Sequence, residues 1–300
     1  MKHIFIINPY SGTHTGVSLV PIIEDYFTNH PADYIIHQTL YHKHAYELAQ
    51  KYSEEDVTFY VIGGDGTTNE VLNGMSSRHT LAIIPSGTGN DFYRMLQIPK
   101  MSVEQLVAQT VEGKVVTVDY GMANQLRFIN CFSMGFDADI GIMADRLKKK
   151  YPVLTPFVYG IATFSMLLKR QNRPLTLDFG TRRLETNSLM VAVMNGQFYG
   201  GGFAPTPMAS IQDGELDVCV VENTFLLNVL RLLPKYMKGT HTKERIVRFY
   251  KIKQMSLEGE FEMNAQTDGE GMVTQKIEFA IVSKGLKLRV PLASKLKVEA

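Results

Sequence analysis

Residues 61–74 read VIGGDGTTNEVLNG. An apolar run suited to a buried strand breaks at Gly63, Gly64, Asp65 and Gly66, then resumes with the spacing of a helix. Glycine accepts backbone conformations closed to other residues and lets the chain approach a ligand, while a helix N-terminus presents unpaired N–H groups and a positive dipole end. A carboxylate held among three glycines at such a point suggests phosphate chemistry. The plainer alternative is an ordinary Asp-Gly turn.

The surrounding sequence favours the first reading. HIFII (3–7), DYIIHQT (33–39), VTFYVI (57–62) and LAIIP (81–85) are strand-like. Between them VSLVPIIEDYF (17–27), HAYELAQKY (44–52), TNEVLNGM (68–75) and NDFYRML (90–96) are helix-like. Short apolar strands alternating with helices predict a parallel sheet covered on both faces, with ligands at the carboxyl ends of the strands. Two more of those ends are glycine-rich: the first strand runs into NPYSGTHTG (8–16), the fourth into PSGTGND (85–91). Any one of these loops could be a turn. Three on one sheet edge make a cradle for phosphates. No G-x-x-x-x-G-K-[ST] run is present, and the G-x-G at Gly87 and Gly89 lacks its third glycine, since position 92 is Phe92.

Beyond residue 122 the pattern changes. SLMVAVMNGQFYG, ELDVCVVE, KIKQMSLEGEFEMN and TQKIEFAIVS are strand-like, with helical stretches at 137–150, 156–169 and 225–239 between them. The expectation is an N-terminal α/β domain over 1–122 and a β-rich domain over 123–285.

Composition narrows the function classes. The 300 residues are 45% hydrophobic and 20% charged, as in a folded globular protein. Lys plus Arg number 31 against 30 Asp plus Glu, so no basic field exists to hold nucleic acid, and an anion must be gripped locally. Cys131 and Cys219 lie in apolar surroundings and read as buried free thiols of a reducing compartment. The N-terminus lacks a signal-peptide pattern. Residues 151–168, YPVLTPFVYGIATFSMLL, are uncharged but interrupted by Pro152, Pro156 and Gly160. They read as a core-facing helix. Flanked by Arg146, Lys148, Lys149 and Lys150, they could instead touch a membrane surface.

The trio NPYSG, GGDGTTNEVLNG and PSGTGNDF, followed by GGFAPTPMASIQDGELDV and TDGEG, resembles the diacylglycerol kinase catalytic family, in particular its soluble bacterial lipid kinases. The resemblance spans essentially the whole chain. It implies a Rossmann-like α/β domain and a C-terminal β-sandwich with the nucleotide cleft between them, residues 286–300 returning to the first domain. It also implies use of ATP and Mg²⁺ to phosphorylate a lipid hydroxyl, most simply that of diacylglycerol, by a cytoplasmic protein that visits the inner face of the membrane. Relatives suggest a homodimer.

Residue by residue, the resemblance places the nucleotide against Asn8, Ser11 and Gly12, against Thr39, and against Gly63, Gly64, Asp65, Gly66, Thr67, Thr68, Asn69 and Glu70. Gly87, Thr88 and Asn90 complete that set. It places a structural Mg²⁺ at Ser210, Asp213 and Glu215, partly through backbone carbonyls, and makes Asp91 a link from Asp65 to the second domain through water or metal. The base that takes the hydroxyl proton is left among Asp268, Glu270 and Asp65. Phosphoryl transfer asks little of a base, because positioning and charge neutralisation supply most of the acceleration.

Some features depart from the pattern. Thr13 and His14 stand where relatives often carry lysine or glycine, and Tyr93 replaces a small residue. His42, His44 and His241 read as surface residues without metal-site spacing. Two other functions compete: an NAD kinase, which shares the GGDG loop but not NDF after PSGTG or QDGELDV, and a non-catalytic lipid-binding or regulatory module, against which stand Asp65, Asp91, Asp213, Asp268 and Glu270.

Overall fold

The computed structural model describes residues 2–12, 16–87, 89–151, 162, 165 and 173–298, without the side chains of 145, 148 and 149. Thr13, His14, Thr88 and, apart from Ala162 and Ser165, the expected helix over 156–169 lie outside the described residues.

Strands β1 (Lys2–Ile7), β2 (Tyr34–Gln38), β3 (Val57–Gly63) and β4 (Thr80–Pro85) pair in parallel in the order β2-β1-β3-β4. Because side chains alternate along a strand, the two faces bury different sets. Phe5, Ile7, Tyr60, Ile62 and Ile84 pack under α1 (Val20–Asn29) and α5 (Val103–Val111). Ile4, Ile6, Phe59, Val61 and Ile83 pack under α2 (His44–Gln50), α3 (Asp65–Gly74) and α4 (Asp91–Met95). β3 is buried along its whole length, which explains its unbroken apolar spelling. α5 starts on a capping box, Ser102 with Gln105.

One expected boundary shifts. α3 begins at Asp65 rather than at Thr68, so Asp65 and Gly66 form the helix's first turn. Glycine disfavours a helix interior, but at the first turn its cost is small beside the close approach it allows.

The second half contributes β5 (Lys114–Ala123), β6 (Leu126–Phe128), β7 (Cys131–Gly135), α6 (Phe136–Lys150), β8 (Pro174–Asp178) and β9 (Arg183–Met194). β10 (Leu216–Glu222), α7 (Leu226–Met237), β11 (Val247–Ile252), β12 (Gln254–Thr267) and β13 (Glu270–Val290) follow. Its strands bury one face around Phe132, Val191, Val218, Leu257 and Phe279. α6 and α7 cover the other through Phe136, Val229, Leu232 and Tyr236.

β13 joins the two halves into one hydrogen-bonded sheet. Its first part pairs with β12, Gln254 opposite Ala280. After a register slip between Val282 and Leu286 in its pairing with β5, its last part lies parallel to β4, Lys287 opposite Thr80. The return of the tail to the α/β half is thus a fifth strand on that sheet. The expected boundary at 122/123 falls on the last residues of β5, which itself pairs with both parts of β13.

Candidate active site

The carboxyl ends of β1, β3 and β4 lie side by side, Ile7 opposite Ile62 and Gly63 opposite Pro85. The three glycine loops therefore converge. Asn8 Nδ2 donates to Thr67 Oγ1 at 2.9 Å, and the Ser11 and Ser86 hydroxyls meet at 2.7 Å in a buried contact. Gly12 has φ +58°, and a β-carbon there would lie 2.2 Å from the Ser86 carbonyl oxygen. At Gly87 it would lie 2.7 Å from the Gly64 α-carbon. Only glycine lets these backbones touch. Asn90, at φ +50°, closes its own loop through Nδ2 to the Gly87 carbonyl at 2.7 Å. No side chain caps α3, so its first-turn N–H groups face the space the loops enclose. Gly87→Ala would force a shift of about 1 Å, and we expect kcat/KM for ATP to fall about 10- to 100-fold with the melting temperature little changed; steady-state kinetics at varied ATP checks this.

Other expected nucleotide contacts sit differently. Thr39 is buried, its N–H held by the Ile7 carbonyl. Asn69 and Glu70 lie in the second turn of α3, and their side chains are engaged by protein partners. Glu70 accepts from the N–H groups of Lys43 and Ala45 and so caps α2. Asn69 Nδ2 donates to Asp268 Oδ2 at 2.9 Å.

Asp65 accepts from the N–H groups of Asp91 (3.0 Å) and Phe92 (3.2 Å), so the carboxylate of the loop after β3 caps α4. Asp91 is buried, and its Oδ2 accepts from Gly201 N–H of the second domain at 2.7 Å. The link is direct, with no bridging group needed. Burial raises the Asp91 pKa, Gly201 N–H lowers it, and the charge of Asp65 raises it further. Asp91 Oδ1 is buried without a hydrogen bond, 3.6 Å from Arg94 Nε. An acceptor left open beside a second carboxylate is suited to a cation or its water.

Asp268 and Glu270 separate sharply. Asp268 is buried and accepts from four donors: Asn69 Nδ2, Ile129 N–H, Asn130 N–H and Cys131 N–H, the last at 2.7 Å. Burial pushes its pKa up to about 6, against the opposing pull of those donors. With both oxygens taken, it is a structural tie between α3 and the start of β7, not a free base. Glu270, two residues on, keeps a side chain 44% exposed. Its Oε1 lies 3.8 Å from where a β-carbon on Gly66 would stand, so it overhangs the first turn of α3. His42 reaches both sides of the cleft, Nε2 to Glu270 Oε2 at 3.5 Å and Nδ1 to Glu70 Oε1 at 3.4 Å. His42 is still a surface residue, its side chain 61% exposed, whereas His241, expected at the surface, is fully buried with Nε2 3.0 Å from the Pro205 carbonyl oxygen.

Comparison with known proteins gives this arrangement a family. Residues 2–123 match the diacylglycerol kinase catalytic domain, and residues 130–290 match the YegS C-terminal NAD kinase beta sandwich-like domain. The chain belongs to the diacylglycerol kinase-like lipid kinases. A diacylglycerol kinase of Staphylococcus saprophyticus is 28% identical over 227 residues, 75% of this chain and 73% of that protein. One from Staphylococcus haemolyticus is 30% identical over 69% of this chain and 63% of its own length. The crystal structure of a diacylglycerol kinase from Bacillus anthracis superposes with a TM-score of 0.71 at 25% identity, covering 98% of both chains. Membership of a kinase family implies ATP as phosphoryl donor.

The structural Mg²⁺ expected in this lipid kinase does not fit the side chains assigned to it. Lys251 Nζ lies 2.6 Å from Asp213 Oδ2, 3.3 Å from Glu215 Oε2 and 3.8 Å from Asp217 Oδ2, so an ammonium stands where the ion's charge would be. Asp213 Oδ1 accepts from Glu215 N–H and Ser210 Oγ from Gln212 N–H. Burial raises Asp217 to about 6, opposed by Lys251. We expect the melting temperature to be the same in EDTA and in Mg²⁺. Lys251→Met should lower it in EDTA and recover part of the loss in Mg²⁺, as three carboxylates lose their counter-charge; calorimetry in both buffers checks this.

Several residues here escaped the sequence reading. Ser86 was legible as the Ser of PSGTG. Gly201 belongs to a run, Gly200, Gly201 and Gly202, with φ of +60°, +86° and +114°, and three adjacent glycines signal a backbone that must fold tightly against something. Asp119, fully buried, accepts from Gly214 N–H at 2.7 Å and so holds the Asp213-Gly214 turn. Its spelling, VDYG, carries no signal.

Proposed function

We propose that this lipid kinase transfers the γ-phosphoryl group of ATP to the free hydroxyl of diacylglycerol, giving phosphatidic acid, with Glu270 as the base. The observation that carries the reading is the half-exposed Glu270 carboxylate overhanging the first turn of α3, beside the glycine loops that can receive phosphates. The lipid hydroxyl gives its proton to Glu270 as its oxygen bonds to phosphorus and the bond to the ADP oxygen breaks. First-turn N–H groups of α3 stabilise the charge on the phosphoryl oxygens. Asp65 and Asp91 would hold the Mg²⁺ that accompanies ATP, which neutralises phosphate charge. Asp268 orients Glu270 by fixing the end of β12 against α3. The protein acts from the cytoplasm at the inner face of the membrane, in keeping with two free buried thiols and with no described helix long and apolar enough to cross a bilayer.

Transfer of label from γ-labelled ATP to diacylglycerol, monoacylglycerol, phosphatidylglycerol, ceramide and sphingosine in mixed micelles tests this, with NAD as a control acceptor. Label in phosphatidic acid is the expected result. Labelled NADP would move the activity to pyridine nucleotides.

His42 steadies Glu270 from across the cleft. His42→Ala should lower kcat about 3- to 10-fold with KM for ATP unchanged, as steady-state kinetics at varied ATP would show. A change in KM alone would place His42 at the nucleotide instead.

A further inference from the structure

α7 presents an unusual outer face. Val229, Leu232 and Tyr236 are buried against the sheet, yet Leu226, Leu227, Leu230 and Met237 are 38%, 78%, 49% and 52% exposed. Pro234 is exposed among them. At helical spacing these five fall in an arc of about 100° that contains no charged residue. Exposed Arg231 and Lys238 stand at one rim of the arc, and exposed Lys243 follows the helix. Between Glu222 and Glu244 the chain carries Arg231, Lys235, Lys238 and Lys243 and no carboxylate. Lys235 is paired with Glu244, which also lies within the field of Arg231, and Glu222 is paired with Arg248, so among the described residues no ion pair closes on Lys238 or Lys243.

We propose that the outer face of α7 docks on an anionic lipid bilayer, its leucines entering the interface and its cations meeting headgroups. An apolar stripe flanked by cations on an amphipathic helix is the pattern of an interfacial helix lying in the membrane plane. Place supports the occupant as well as chemistry. Tyr236 carbonyl accepts from Ala204 N–H and its ring packs on Tyr199 and Phe203, the ends of the glycine loop whose Gly201 contacts Asp91. One short loop therefore separates the docking face from the cleft. The inference rests on the lipid kinase reading for its choice of a bilayer over a second copy of the chain.

The test is sedimentation of the full chain with phosphatidylcholine vesicles made with and without phosphatidylglycerol. Wild type should favour the anionic vesicles. Leu227→Glu with Leu230→Glu should cut partitioning at least about 10-fold, and Arg231→Glu with Lys238→Glu should remove the preference for anionic lipid, about 5-fold per cation. Both double variants should keep the melting temperature and the rate on a short-chain diacylglycerol presented as monomers. Equal partitioning of wild type and the leucine variant overturns the inference. So does a wild-type dimer that the leucine variant splits, since the face would then join two copies. Vesicle binding through α7 by a protein that phosphorylates no lipid would uphold the docking face and overturn only the kinase reading.

Discussion

Glu270→Gln should leave a folded protein that binds ATP normally but phosphorylates its lipid acceptor about 100- to 1,000-fold more slowly in kcat. The substitution keeps shape and hydrogen-bonding reach and removes only the ability to take a proton. The side chain is 44% exposed and supports no buried group, so the melting temperature should move by about a degree or less. Nucleotide affinity should hold, because the candidate phosphate site is built from backbone of the first domain. Single-turnover kinetics beside a nucleotide titration measure the two separately. A kcat within about threefold of wild type would exclude Glu270 as the base and leave transfer to positioning and charge neutralisation alone.

Asp268→Asn should act through the fold. The left-handed backbone at this position, φ +47°, suits asparagine, so the chain itself is not strained. The hydrogen-bond pattern is what fails. Oδ1 accepts from Asn130 and Cys131 N–H and Oδ2 from Asn69 Nδ2 and Ile129 N–H, so an amide NH₂ in either place faces two buried donors. Leaving them unmet costs about 3–5 kcal/mol, read as a lower denaturant midpoint. Activity should fall with the stability, and partly return on cooling. A variant as stable as wild type yet inactive would show that the Asp268 carboxylate acts in the chemistry itself. The pair of variants therefore separates a residue that holds the site from one that works in it.

Much of the α/β half was legible because its determinants are local. β3 is spelled as a buried strand, and the alternation of strands with amphipathic helices leaves few ways to cover both faces of a sheet. The glycine loops were legible for the same reason: a positive φ at Gly12 or backbone contact at Gly87 restricts the residue type at that position itself. The helix boundary at Asp65 was not, since first-turn glycines look like loop in a propensity count.

Roles that depend on distant partners were hidden. Asp268 and Glu270 sit two residues apart in TDGEG with equal claims to chemistry. They are told apart only by a hydrogen bond from Asn69, 199 residues away, and by three N–H groups of residues 129–131. Lys251 meets the acidic loop because β10 and β11 pair with Asp217 opposite Lys251. His42 meets Glu270 because the β13 that starts at Glu270 returns to pair with β4. The amino-acid sequence alone determined where the backbone must bend, bury or approach a ligand, since those demands are met within a few residues. Tertiary structure decided which carboxylate is left open to react, because the donors that occupy a carboxylate come from wherever the fold brings them.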